Sequence, residues 1–222
     1  MTSRRVFLAF SLACFFFKKA EAQNNIDALP FSSLKPGAPL PGWLKPYAFP
    51  NRPRHTEFAL VEDEGRTVLR ARAQASTSGL ARELSVDPRR YPLLAWRWKT
   101  MNLIAKSDMG SKAGDDFPVR LYLSFEGNRR ALCYVWDARR PVGSIAPNAY
   151  SDRVQMVVAD SGPAQLGRWI AHERDYAADF RRAFGSDAPA LEGVIVSADT
   201  DNTGESAESY FGDVTFRSRP TS

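Results

Sequence analysis

Cysteine and histidine are scarce in this chain. Cys14 and Cys133, His55 and His172 are all there are, and neither type shows the paired spacing of a metal site. The chain also has no Cys-x-x-Cys, no glycine-rich phosphate loop, no Gly-x-Ser-x-Gly elbow and no dinucleotide fingerprint. Zinc enzymes, nucleotide enzymes and serine hydrolases of familiar type are therefore disfavoured. A membrane-spanning run is lacking too. The apolar stretch Val6 to Phe17 is about twelve residues, too short for a bilayer core that needs roughly twenty.

That stretch reads instead as the middle of an export signal. A basic start precedes it, and Ala20-Glu21-Ala22 supplies the small residues of a peptidase site. Ser3-Arg4-Arg5-Val6-Phe7-Leu8 matches the twin-arginine pattern, with an ordinary secretory signal as the alternative. The expected organisation is a signal peptide at residues 1–22, a proline-rich lead-in at 23–56 and a β-sandwich domain at 57–219. The expected location is periplasmic or secreted. Loss of Arg4, Arg5, Lys18, Lys19 and Glu21 takes the formal net charge from +5 to +2. Little then supports a nucleic-acid partner, and no stable membrane insertion is expected after cleavage. Cys133 is left alone, so no intramolecular disulfide can form. Its setting, Ala131-Leu132-Cys133-Tyr134-Val135, suits a buried structural thiol.

Seven prolines between Pro30 and Pro53 argue against any regular element there. Beyond them, period-two patterning predicts strands over 57–61, 67–73, 79–86, 93–101, 119–125, 131–136, 154–159, 191–198 and 209–217. Many short strands with almost no helix imply an all-β, two-sheet, jelly-roll-like sandwich. One short packed helix is expected near the C-terminal part. Tyr176, Phe180 and Phe184 recur at helical spacing, with Asp175 as N-cap and Gly185 as the left-handed stop.

Alternation along Val119 to Phe125 sends Val119, Leu121, Leu123 and Phe125 to the core and Arg120, Tyr122 and Ser124 to the other face. This second face suits a groove with a few directed polar groups. Asp116, Arg120, Tyr122 and Trp136 are the ligand candidates, with Arg97 and Lys99 expected to share the groove. The structural alternative is an Arg120–Asp116 ion pair with the aromatics inside. His172 is expected as a surface or capping residue.

The turn "DTDNTGE" puts oxygens at Asp199, Asp201 and Thr203 and a glycine at 204, as the first half of a calcium loop does. The twelfth position is Tyr210, so the second half fails. A plain turn, a calcium site and a ligand contact all remain open. Asp115, Asp116, Asp137, Asp199 and Asp201 also supply carboxylate pairs for a glycan hydrolase or lyase.

The ordered blocks "YPLLAWRWKT", "GDDFPVRLYLSF", "YVWD", "ERDYAADFRRAFG" and "VIVSADTDNTGESAESYFGDVTF" resemble the bacterial domain-of-unknown-function 3047 (DUF3047) family. The resemblance implies kinship over roughly residues 57 to 217 and brings no activity with it. More loosely, "SYFGDVTF" is similar to the closing strand of jelly-roll carbohydrate-binding modules, where an aspartate helps hold structural calcium. That likeness implies Asp213 as a metal ligand beside Asp199 and Asp201. The expected function is an exported, non-catalytic binder of carbohydrate or another envelope ligand. A glycan-active enzyme and a structural partner in a periplasmic assembly are the alternatives.

Overall fold

The computed structural model describes residues 24–48 and 54–220. The export signal expected at 1–22 and the lead-in prolines Pro50 and Pro53 lie outside the described residues. In chain order the strands are β1 (Asn25–Leu29), β2 (Lys45–Tyr47), β3 (Glu57–Asp63), β4 (Arg66–Gln74), β5 (Thr77–Val86), β6 (Leu93–Thr100) and β7 (Arg120–Phe125). They continue as β8 (Arg130–Asp137), β9 (Ile145–Asn148), β10 (Ser151–Ser161), β11 (Ile170–Asp175), β12 (Leu191–Asp199) and β13 (Ser206–Arg217). The helix α1 (Tyr176–Phe184) follows β11.

The strands form two sheets. One runs β11-β6-β13-β4-β3 with β1 beside β13, and the other runs β2-β5-β12-β7-β8-β10-β9. Each buries one face against its opposite, because alternate residues are apolar. Trp96 and Trp98 of β6 with Phe211 and Phe216 of β13 meet Leu121, Leu123 and Phe125 of β7 and Leu132, Tyr134 and Trp136 of β8 in one buried cluster. Burying each such side chain contributes about 1.5–3 kcal/mol. The expected all-β two-sheet sandwich with one short helix is the fold.

The helix closes one end as its pattern requires. Asp175 accepts from the Ala178 amide at 2.9 Å, and Gly185 ends the helix at φ 70°, a conformation that favours glycine. Tyr176 and Phe180 are buried, with Phe180 4.7 Å from Phe125 and Tyr176 5.4 Å from Phe216 between ring centroids. His172 is no surface residue. It stacks on Trp96 at 4.6 Å and bonds Asp160 at 2.8 Å, joining β11 to β10 across the two sheets.

The lead-in departs from expectation, because it holds regular elements despite its prolines. β1 pairs with β13, and β2 pairs with β5 through Lys45, Pro46 and Tyr47. Pro46 is tolerated because β2 is an edge strand. Strand β13 has β6 along one edge. Its other edge pairs first with β4 (residues 206–211) and then with β1 (residues 214–217). The register shifts between Phe211 and Val214, which places Gly212 and Asp213 in a bulge. Arg97 crosses there so closely that a Cβ on Gly212 would sit 2.4 Å from its Cγ.

Candidate ligand-binding cleft

On the outer face of the seven-stranded sheet the side chains that alternation turns away from the core line a cleft of about 430 Å³. Its floor includes Arg120, Tyr122 and Ser124 of β7, Ile195 of β12, Ala131 of β8 and Val154 of β10. Tyr47 and Tyr150 also line it and are 39% and 49% exposed. They come from opposite edges of the sheet: Tyr47 ends β2, and Tyr150 lies between β9 and β10. The loop of residues 101–119 covers the neighbouring part of this face. Its Met109 and Phe117 pack on Cys133 and Val135 of β8 and on Met156 and Val158 of β10.

At one end of the cleft stands a buried charge cluster. Arg120 is 1% exposed. Its Nε donates to Asp199 Oδ1 at 2.8 Å and one terminal nitrogen lies 2.8 Å from Asp199 Oδ2, a two-pronged pair. The same nitrogen donates to the Asp115 carbonyl at 2.5 Å and to Asp115 Oδ1 at 3.2 Å, and the other donates to the Tyr122 hydroxyl at 3.2 Å. The ion pair proposed from sequence is thus real in kind but different in partner, since Arg120 pairs with Asp199 and Asp115 rather than Asp116. Burial pushes the Asp199 carboxyl up to about 7; Arg120 pulls it down while Asp116 and Asp115 push it further up. Burial also disfavours charge on Arg120, but Asp199, Tyr122 and Asp115 more than offset it and hold its affinity for the proton well above the ordinary value.

Asp116, fully buried, does something the sequence did not reveal. Its carboxylate accepts from the Thr203 amide at 2.6 Å and from the Asn202 amide and side chain at 3.3 and 3.1 Å. The oxygen-rich turn wraps its backbone donors around a carboxylate from another loop. Asn202 in turn donates to the Asp115 carbonyl at 3.2 Å and accepts from the Tyr150 hydroxyl at 2.8 Å, and Asn148 donates to Asp115 Oδ2 at 2.8 Å. The network therefore fixes the rim tyrosine.

Asp116, Asp199 and Asp201 each offer one carboxylate oxygen within 4.8 Å of the others, so they are the residues that could hold a cation. Asp213 is not with them. It sits in the β13 bulge on the other sheet, where it accepts from the Ser32 amide at 2.8 Å and the Ser32 hydroxyl at 2.5 Å. Its carboxylate ties down the turn after β1, which corrects its assignment as a metal ligand. Trp136 is also misplaced by the sequence reading. It is 0% exposed, within the core between the sheets, with its ring nitrogen donating to the Gly162 carbonyl at 3.0 Å. Its parity along β8 matches Leu132 and Tyr134, so it faces inward. Arg97 and Lys99 belong to the other sheet: Lys99 bonds Asp63 at 2.5 Å and lies over Trp169 and Tyr210. They share no groove with Arg120.

Fold and site together define a β-sandwich with a tyrosine-flanked cleft on one outer face. The chain belongs to the family described as "Protein of unknown function (DUF3047)", whose model matches residues 41–215. No curated protein matches it. Among solved structures it is similar to the family 11 carbohydrate-binding module of the cellulosomal cellulase Lic26A-Cel5E of Clostridium thermocellum, at 8% identity and TM-score 0.48, over 91% of this chain and 99% of that one. It is also similar to the xyloglucanase domain of NopAA, a type three effector from Sinorhizobium fredii, in complex with cellobiose (7%, TM-score 0.40, 79% and 98%). A third is the agarase AgWH50C (9%, TM-score 0.38, 90% and 25%). At such identities and scores, fold and site stand on the chain's own residues.

Proposed function

We propose that the mature chain is a non-catalytic carbohydrate binder of the cell envelope or its surroundings, and that the cleft on the seven-stranded sheet takes the ligand. The observation that carries this reading is the pairing of Tyr47 and Tyr150 on opposite edges of a 430 Å³ cleft whose floor is fixed by the Arg120 network. Ligand sites of about 300–1,000 Å³ combine apolar and aromatic surface with a few directed polar groups. Tyrosine supplies rigid, amphipathic contact area at low entropic cost, which suits the apolar face of a sugar ring.

The carboxylates favour binding over catalysis. All six carboxylate oxygens of Asp115, Asp116 and Asp199 are engaged by the chain's own donors. One carboxylate oxygen from each of Asp116, Asp199 and Asp201 lies within 4.8 Å of the others, whereas a glycosidase holds two carboxyl groups roughly 5–9.5 Å apart across the bond to be broken. The twin-arginine-type segment at residues 3–8 supports export; finding only unprocessed chain in the cytoplasm would remove that placement.

A panel of neutral oligosaccharides titrated into wild type, Tyr47→Ala, Tyr150→Ala and Tyr122→Ala tests the cleft. Loss of either exposed tyrosine should weaken binding by about tenfold or more in a chain that still folds. Equal binding by wild type and all three variants would discard the cleft.

A further inference from the structure

Tyr150 lines the cleft from the turn between β9 and β10 and is half exposed, yet its hydroxyl has a settled direction. It donates to Asn202 Oδ1 at 2.8 Å, with the Lys112 carbonyl at 3.3 Å as a second, longer acceptor. Asn202 has no freedom to present anything else. Its Nδ2 donates to the Asp115 carbonyl at 3.2 Å and to Asp116 Oδ1 at 3.1 Å, and its backbone amide donates to that same Asp116 oxygen at 3.3 Å. A flipped side-chain amide would set Oδ1 against two acceptor oxygens, so the oxygen must face the tyrosine.

A tyrosine hydroxyl has one proton to give and lone pairs with which to accept. The proton of Tyr150 goes to Asn202, and none of the described residues donates to its oxygen. Tyr150 therefore meets a ligand as an acceptor. The ring is committed as well. The exposed Lys112 places its ammonium over the ring, 5.3 Å from the centroid, and Lys112 is not among the residues that line the cleft. The opposite face is thus the one turned to the cleft, and a ligand on the lysine's side would first have to displace that cation. Resting on the cleft reading, we propose that Asn202 is the positioning residue of the site: it aims Tyr150 so that a sugar ring stacks on the face away from Lys112 and one sugar hydroxyl donates to the Tyr150 oxygen. The turn whose oxygens resemble half a calcium loop serves the ligand through a tyrosine of another loop.

Two measurements test this, the first without any ligand. In protein labelled with 3-fluorotyrosine, the fluorine line of Tyr150, assigned by its loss in Tyr150→Phe, should shift and narrow in Asn202→Ala while the Tyr47 line stays in place. A Tyr150 line identical to that of wild type would overturn the proposal. The second measurement titrates cellohexaose, mannohexaose and xylohexaose by calorimetry. Against the tightest of them, Asn202→Ala and Tyr150→Phe should each weaken binding by about two- to tenfold, because the ligand must then order a ring that the fold no longer holds. Asn202→Ala combined with Tyr150→Phe should be no weaker than Tyr150→Phe alone, since Asn202 acts through the hydroxyl. Lys112→Ala, on the far face, should bind as wild type does. Single variants that bind like wild type, a double variant that falls by the product of the two, or a several-fold change in Lys112→Ala would refute the assignment. Tyr150→Phe removes only an exposed hydroxyl, so it decides the binding arm alone if Asn202→Ala does not fold. Silence of wild type toward all three hexasaccharides would overturn the cleft reading and the ligand contact with it, while the fluorine line still judges whether Asn202 aims the ring.

Discussion

Replacing Arg120 by methionine leaves the Asp199 carboxylate buried with no cation beside it and removes the donor to Asp115 Oδ1 and to the Tyr122 hydroxyl. Arg120 is 1% exposed and Asp199 7%, so solvent can do little to compensate. Removing one partner of a buried ion pair costs about 3–5 kcal/mol. For a domain of this size each kcal/mol moves the unfolding midpoint by about 2–4 °C, which gives a fall of about 6–20 °C by calorimetry. The cost should depend on pH in a definite sense. The folded Asp199 carboxyl is already raised to about 7, above an unfolded value of about 3.9, and losing Arg120 raises it further. A carboxyl raised on folding takes stability away as pH climbs from the unfolded toward the folded value. The deficit of Arg120→Met should therefore be smaller at about pH 5 than at about pH 8. Adding Asp199→Asn to Arg120→Met should recover part of the loss, because the isolated charge is gone. A midpoint unchanged in Arg120→Met, or a double variant that falls by the sum of the two single effects, would refute this account of the cluster.

Burial pushes the Cys133 thiol up to about 12, so in the folded chain it should resist iodoacetamide at about pH 8 and react only in denaturant; native labelling of Cys133 would contradict its burial. Asp213→Ala should cost about 1–2 kcal/mol by loss of the two Ser32 bonds. The loss should appear as faster hydrogen exchange around residues 25–34, with binding in the cleft unaffected. Arg120 already supplies a cation to Asp199 and the turn amides already fill Asp116, so calcium and chelator should give the same unfolding midpoint. A calcium-dependent rise would instead show a bound ion stabilising the folded state.

The architecture was legible because its signals are local. Alternation along β7 assigned Arg120, Tyr122 and Ser124 to the face that now lines the cleft, and the four-residue spacing of Tyr176, Phe180 and Phe184 marked the helix with both caps. The misses were of longer range. Tyr47 hid among prolines and Tyr150 in a turn, and only pairing of β2 and β9 at opposite edges of one sheet brings them to the same cleft. Arg97 and Lys99 had the right alternation but the wrong sheet, because parity along a strand says nothing about which sheet the strand joins. Trp136 was legible and misread: its parity with Leu132 and Tyr134 already placed it inside. Asp213 carried a plausible analogy, yet its partner Ser32 lies 181 positions away, beyond the reach of any local pattern.

Strand β13, which follows all the other strands in chain order, lies in the middle of its sheet rather than at a border. Until translation reaches it, β6 on one side and β4 and β1 on the other have no common neighbour, and the nascent chain holds these strands apart. Completion of this sheet is thus a late, non-local event. A stop codon shortly before Ser206 should yield a product that lacks the keystone of the sheet and is cleared by proteases, not a slightly trimmed version of the protein.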